Sequence, residues 1–239
     1  PYTSPPYPGC AWPAEGTIRF NRDYLAPALK KHHPDVKLYL GTFNTNRQDH
    51  VEKVLSDDRL RACIEGLAFQ WEGRQILPAI RRQYPGFHYI CSESECGNGA
   101  MDWKAGEHTF FLISDNVGNG CDEWFNWNFL LPKHGTSPWG WNQNALIELD
   151  SETRTFRYTA EYYAVKHFSH FVVPGSEMIG YAPKEKDGTI AVVYRTPEKK
   201  IVVIAGNLGD TPQPVSVKIG KKYLNVTLDA HSLHTFVMK

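Results

Sequence analysis

Strand-period and helix-period segments alternate four times along this chain, and after Gly175 the alternation stops and only short β runs remain. That switch limits the fold more than any other feature. A strand, a helix and another strand in repeated succession imply parallel pairing with right-handed crossovers. Apolar recurrence near the 3.6-residue period predicts helices over 15–33 (Ile18, Tyr24, Leu25 and Leu29, stopped by Pro34), 49–63 with a break near Ser56, 74–84, 103–117 and 158–171. Short apolar or aromatic runs predict strands at 36–43, 65–71, 87–92 and 123–129. Past residue 175 the runs 190–194, 201–206, 215–219, 224–228 and 234–238 are separated by turn-like spacers, the pattern of an antiparallel sheet or small sandwich. The expected fold class is therefore α/β, with an αβ domain over 1–176 and a β-sandwich over 177–239.

Four βα units are too few to close a (β/α)8 barrel, which leaves an open sheet or half of a barrel. Open doubly wound sheets usually carry a Gly-rich phosphate loop after a strand. The nearest match, Gly97-Asn98-Gly99, lacks both a third glycine and the Walker lysine, so half of a barrel fits better.

Charge and composition narrow the function. Lys plus Arg (26) balances Asp plus Glu (26), whereas proteins that hold nucleic acid or anionic lipid carry a basic surplus; no nucleic-acid partner is expected. No apolar run reaches the ~18 residues of a spanning helix. Five cysteines, an odd number with no Cys-x-x-Cys, match neither a disulfide framework nor zinc spacing, so no metal and no cofactor are expected. Asn225-Val226-Thr227 is a glycosylation triplet of the kind that chance often supplies. The surplus is aromatic: 7 Trp, 12 Tyr and 12 Phe, enough for a core and for platforms that stack on a sugar. The first nine residues, Pro-rich and without a leading Met, read as an irregular loop, as though the chain began inside something larger. They are neither a signal nor a transit peptide, and no compartment follows from them.

In a βα fold the reactive groups gather at the C-terminal ends of the strands. That rule selects Gln70, Trp71 and Glu72 after the second strand, Glu93 and Glu95 after the third, and Trp127 and Asn128 in the fourth, with Trp139 and Trp141 in the loop behind. Glu93, just past an apolar strand, suits a nucleophile at an anomeric carbon; a carboxylate that merely caps a loop is the competing reading. A retaining glycosidase needs two such carboxyl groups about 5–5.5 Å apart. Glu95 reads as a supporting group, Glu72 as loop surface or a ligand for a sugar hydroxyl, Gln70 and Asn128 as amides of the site, and the tryptophans as core or stacking platforms. Ser92 and Ser94 have no His–Asp partner at suggestive spacing, and His32-His33 reads as a solvated helix end.

The run Tyr89-Ile90-Cys91-Ser92-Glu93-Ser94-Glu95-Cys96-Gly97-Asn98-Gly99 resembles the nucleophile segment of glycoside hydrolase family 30, the glucosylceramidase-like β-glycosidases. Tyr7-Pro8-Gly9-Cys10 with the segment 22–29, Val54-Leu55-Ser56-Asp57, the segment 66–71, Trp127-Asn128 and the Trp139/Trp141 loop, and the segment 162–169 with Pro174-Gly175-Ser176 are similar to further stretches of that family. The resemblance implies strands five to eight of the barrel followed by the family's sandwich, a β-linked carbohydrate or glycoside as ligand, and Glu93 as nucleophile. It also implies that the general acid, the Glu of an Asn-Glu-Pro motif, falls immediately before Pro1 and is absent here, so that activity is impaired. Gln70-Trp71-Glu72 stands where many members carry His-Trp-Tyr, which unsettles the sugar preference. Two alternatives compete: a relic that binds carbohydrate without catalysis, and a homodimer in which two four-stranded halves complete one eight-stranded barrel and so cover each other's open edge.

Overall fold

A computed structural model describes residues 12–138 and 140–238. The expectations for the first nine residues, for Cys10 and for Trp139 lie outside the described residues. The chain divides into two compact units: one of residues up to Ser94 together with Gly120–Phe125, the other of Glu95–Asn119 together with Asn126 onward.

The first unit opens with α1 (Ala14–Phe20) and α2 (Ala26–His32), joined by a π-helical turn, Asn21–Leu25. The Asn21 amide reaches back to the Thr17 carbonyl (2.8 Å) beside that turn. Strand β1 (Tyr39–Phe43) leads to α3 (Gln48–Leu55) and α4 (Asp58–Arg61), the latter capped by the Asp57 carboxylate, which accepts from the Leu60 amide at 2.8 Å. The break expected near Ser56 is the gap between these helices. Strand β2 (Gly66–Gln70), a 3-10 turn (Trp71–Gln75), α5 (Leu77–Gln83) and β3 (His88–Glu93) follow. The chain then forms α6 (Trp103–Gly118) in the second unit and returns as β4 (Glu123–Trp124). The sheet order is β1-β2-β3-β4, every pair parallel. Leu40, Phe43, Leu67, Phe69, Tyr89 and Cys91 of the sheet pack with Val51, Leu55, Leu77 and Ile80 of the helices in one core.

The fourth strand is far shorter than the 123–129 run suggested. Beyond Phe125, side-chain amides compete for the backbone: Asn126 donates to the Asn128 carbonyl (3.1 Å), and Asn128 to the Asn144 carbonyl (2.9 Å). The chain leaves the sheet, and β5 (Leu130–Pro132) pairs instead with β6 (Ile147–Asp150), which turns into β7 (Thr155–Tyr158). That hairpin was not anticipated. Its turn is built by Asp150, whose Oδ1 accepts from the amides of Glu152 (3.0 Å) and Thr153 (3.2 Å).

The last helix, α7 (Ala160–Ser169), starts at the buried cap Thr159. After it come β8 (Glu177–Ala182), also unanticipated, β9 (Thr189–Arg195), β10 (Ile201–Asn207), β11 (Gln213–Ile219), β12 (Lys222–Leu228) and β13 (Ser232–Met238). One antiparallel sheet runs β13-β10-β9-β8, and β11-β12 form a hairpin. Central β10 is buried along nearly its whole length. Val203 and Ala205 meet the hairpin's Val215, Val217, Leu224 and Val226. Gly206 lies so near α6 that a Cβ there would come within 2.7 Å of the Phe110 ring.

A charged clasp ties α6 to the strands of this unit. His231, in the left-handed region (φ 53°), sets Nδ1 2.9 Å from Glu107 of α6 and Nε2 3.0 Å from Asp210, while its carbonyl accepts from Trp103 Nε1 at 2.9 Å. The Glu107 carboxylate and then that of Asp210 hold the imidazole above its usual value of 6.5. A raised imidazole stabilises the fold while protonated and gives up that stability as pH climbs through the raised value. The melting temperature is thus expected to fall between pH 6 and pH 8, and His231→Gln should flatten that fall; equal slopes in thermal melts of the two proteins would refute the clasp.

Candidate active site

Glu93 ends β3, and a shift in register brings it opposite Gln70, the end of β2. Phe69 pairs with Cys91, and the next pair is Gln70 with Glu93, so Ser92 is passed over. Alternation would otherwise give Glu93 the parity of Cys91 and Tyr89, which point into the core; the extra residue gives it the parity of Gln70. β1 shifts at the same level, between Gly41 and Phe43.

Two neutral donors hold the half-buried carboxylate. Trp71 Nε1 donates to Glu93 Oε1 at 2.8 Å. With the Gln70 amide oriented to satisfy its hydrogen bonds, its nitrogen donates to Glu93 Oε2 at 2.7 Å. Trp71 has φ 45°, a conformation rare for a bulky residue, and the residue is 39% exposed. Such strain at a strand end persists only where neighbouring contacts over-determine it, and the bond to Glu93 is one of them. Glu72 is exposed, its amide donating to Asn44 Oδ1 at 3.4 Å. Cys91, two residues before Glu93, is buried; desolvation pushes its thiol up to about 12, so no thiolate forms there near neutral pH.

In the second unit, Glu95 Oε2 sits 2.7 Å from His108 Nε2 of α6. Asn128 donates to Gln143 Oε1 (3.1 Å) as well as to the Asn144 carbonyl. Trp127 is 48% exposed, and Trp141 is half-buried, its carbonyl accepting from the Ser137 hydroxyl (2.8 Å). Gln70, Trp71 and Glu93 are thus brought together in the first unit, while the Glu95–His108 contact and the Asn128 bonds to Gln143 and Asn144 lie in the second. Gln143, Asn144 and His108, uninformative in the sequence, emerge as the polar partners of this segment. No group of three His, Cys, Asp or Glu among the described residues is arranged to hold a metal ion. None of the helices described is long and apolar enough to cross a membrane.

Gly97-Asn98-Gly99 is a packing loop. Gly97 (φ 68°) and Gly99 (φ 83°) occupy left-handed conformations, and a Cβ on Gly97 would collide with the Asn144 amide. Gly97→Ala is expected to cost about 1–3 kcal/mol, read as a lower urea midpoint with unchanged slope; an unshifted midpoint would contradict this packing.

Four parallel strands with a carboxylate at one strand end, followed along the chain by antiparallel strands, define an α/β class of domain with a β domain after it. Comparison with known proteins makes the assignment specific. Residues 9–172 match the glycosyl hydrolase family 30 TIM-barrel domain and residues 175–236 the glycosyl hydrolase family 30 beta sandwich domain. The chain belongs to glycoside hydrolase family 30. It is 24% identical to the lysosomal acid glucosylceramidase of Mus musculus, over 93% of this chain and 47% of the mouse protein. The crystal structure of SrfJ from Salmonella typhimurium superposes with a TM-score of 0.84 at 22% identity, over 96% of this chain and 54% of that one. A family 30 subfamily 8 xylanase, Xyn30A from Clostridium acetobutylicum, gives 0.75 at 18%, over 98% and 62%. The chain spans less than half the length of the mouse protein it matches.

Proposed function

We propose that this chain carries the nucleophile-bearing part of a retaining β-glycosidase, with Glu93 as the nucleophile. The carrying observation is the pair of hydrogen bonds that fix both oxygens of Glu93 at the end of a parallel strand. On this reading β1–β4 correspond to barrel strands five to eight, the barrel portion ends near residue 176, and the sandwich follows. Gln70, Trp71 and Glu72, in the same unit as Glu93, contribute to the sugar subsite, and Glu95, Asn128 and the tryptophans 127, 139 and 141 are proposed from the sequence to bind sugar. The ligand is a β-linked glycoside.

A Glu93 oxygen attacks the anomeric carbon as the bond to the leaving oxygen breaks, giving a glycosyl ester of inverted configuration; water then attacks the same carbon and releases the sugar with net retention. Trp71 and Gln70 hold the carboxylate in the attacking geometry. The acid that protonates the leaving oxygen lies, on this reading, outside these 239 residues, which contain no Asn-Glu-Pro triplet. Its loss should cost about 10²–10⁴-fold on substrates whose leaving group needs a proton.

Nitrophenyl β-glycosides bypass that need. With azide they should release nitrophenolate and yield the β-glycosyl azide, since azide replaces water on the glycosyl ester. Glu93→Ala should abolish that product and leave at most the α-azide, formed by direct displacement. No release from aryl β-glucosides or β-xylosides at any azide concentration would overturn the reading, and a sugar-dependent thermal shift in its place would favour binding without catalysis.

Trp71→Phe keeps an aromatic ring and removes only the indole donor. Because the indole fixes one carboxylate oxygen in the attacking geometry, azide-dependent kcat/KM should fall roughly 10- to 100-fold, and the melting temperature should drop by the few degrees that one lost hydrogen bond costs. An unaltered kcat/KM would show that the Trp71–Glu93 bond does not matter for turnover.

A further inference from the structure

Glu161 is 5% exposed in the first turn of α7, a position where a carboxylate normally faces water and the helix dipole. Here its Oε1 accepts from Thr109 Oγ1 of α6 (2.8 Å) and from Asn144 Nδ2 (3.4 Å), while Oε2 is buried without a partner. Asn144 also binds the 96–99 loop at two points, while its carbonyl accepts from Asn128. Its amide donates to the Cys96 carbonyl (2.7 Å), and its Oδ1 accepts from the Gly99 amide (2.7 Å). Both ends of the 96–99 loop are therefore fastened to Asn144, whose own amide side chain rests on Glu161. The residue before the loop, Glu95, bonds His108, the α6 neighbour of Thr109.

We propose that Glu161 and Asn144 are positioning residues that together pin the 96–99 loop and so fix Glu95, the segment leaving the nucleophile strand. Only the consequence for turnover rests on the reading of Glu93; the clamp stands on its own geometry. A buried carboxylate with one bare oxygen is costly while charged, so the clamp is stable with Glu161 neutral. Burial is the largest influence and raises the carboxyl; it outweighs the hydrogen bonds from Thr109 and Asn144 and the charge of His108 on α6, all of which favour the charged form, while Asp102 at the start of α6 adds to the rise. The sign follows. A raised carboxyl holds the clamp closed below the ordinary carboxylate range and releases it as pH rises through the raised value.

The direct readout is hydrogen exchange at the Gly99 amide, which Asn144 accepts, followed by NMR in the native chain and corrected for intrinsic pH dependence. Asn144→Ala should lower Gly99 protection about fivefold to tenfold, the worth of one ordinary hydrogen bond. In the unaltered chain, protection at Gly99 should decline as pH rises from 5 to 8. Glu161→Gln, neutral at every pH and nearly isosteric, should keep protection and abolish the decline without lowering the melting temperature. A merely structural carboxyl would instead lose stability on this change and leave the pH slope in place. Unchanged Gly99 protection in Asn144→Ala, or the same decline in Glu161→Gln, would overturn the proposal. Where nitrophenyl glycosides are turned over with azide, Asn144→Ala should lower kcat more than it raises KM. Absence of turnover in the unaltered chain bears on Glu93 alone, and Gly99 exchange still decides the clamp.

Discussion

The pairing of β2 with β3, and the single residue it passes over, governs what this molecule presents at its strand ends. Parallel neighbours lie about 4.8 Å apart, close enough for a side chain at one strand end to touch the next. Which side chains meet depends on parity. Leu67, Phe69, Tyr89 and Cys91 share the face that packs on the helices, and strict alternation would send Glu93 into that apolar layer, where an ionised carboxylate is prohibitively costly. The shift at Ser92 resolves the conflict, and the Ser92 hydroxyl, freed from the alternation, reaches the Phe69 carbonyl at 3.3 Å.

Much of this framework was legible because strands buried under helices write themselves as short apolar runs. Segments 36–43 and 65–71 are such runs and each contains an observed strand, and 87–92 covers all of β3 but its last residue, Glu93. The register shift was not legible, since a bulge is invisible to period counting. Nor was the short β4: the aromatic residues 124–129 read as strand, while Asn126 and Asn128 spend their amides on nearby backbone. The β6–β7 hairpin was hidden by its proximity to α7, whose helical period masks the alternation of Phe156 and Tyr158. Glu93 could be named from its place after a strand, but its two donors could not be assigned to it. Glu161 was overlooked because a first-turn glutamate is ordinarily solvated; only the approach of Asn144 and Thr109 buries it.

Within the second unit α6 does an unusual amount of organising with three consecutive residues. Glu107 binds His231, His108 binds Glu95 and Thr109 binds Glu161. Successive helical residues point about 100° apart, so these contacts leave the helix in three directions, and Phe110 adds a fourth against Gly206 and Phe168. A helix loaded on all sides tolerates little rotation. Of its polar partners, His231 is held in the protonated form by Glu107 and Asp210, whereas burial favours a neutral Glu161 against the Thr109 and Asn144 hydrogen bonds, which favour the charged form.

The choice of neutral donors at Glu93 fits the chemistry proposed for it. An arginine or lysine in the place of Trp71 or Gln70 would form an ion pair whose Coulomb attraction is lost as the carboxylate charge passes into a covalent bond with the sugar. That loss would add to the barrier. Indole and amide N–H groups orient the two oxygens with less charge-dependent energy to surrender, and both remain able to bond the ester oxygen that is not attached to carbon. The cost of the arrangement moves elsewhere, into the left-handed backbone of Trp71. That strain is sustained because the indole has a fixed partner, and Gly73 two residues on lies so close to the Phe43 carbonyl that a Cβ would collide with it. Strand end, strained tryptophan and glycine contact therefore act as one rigid bracket.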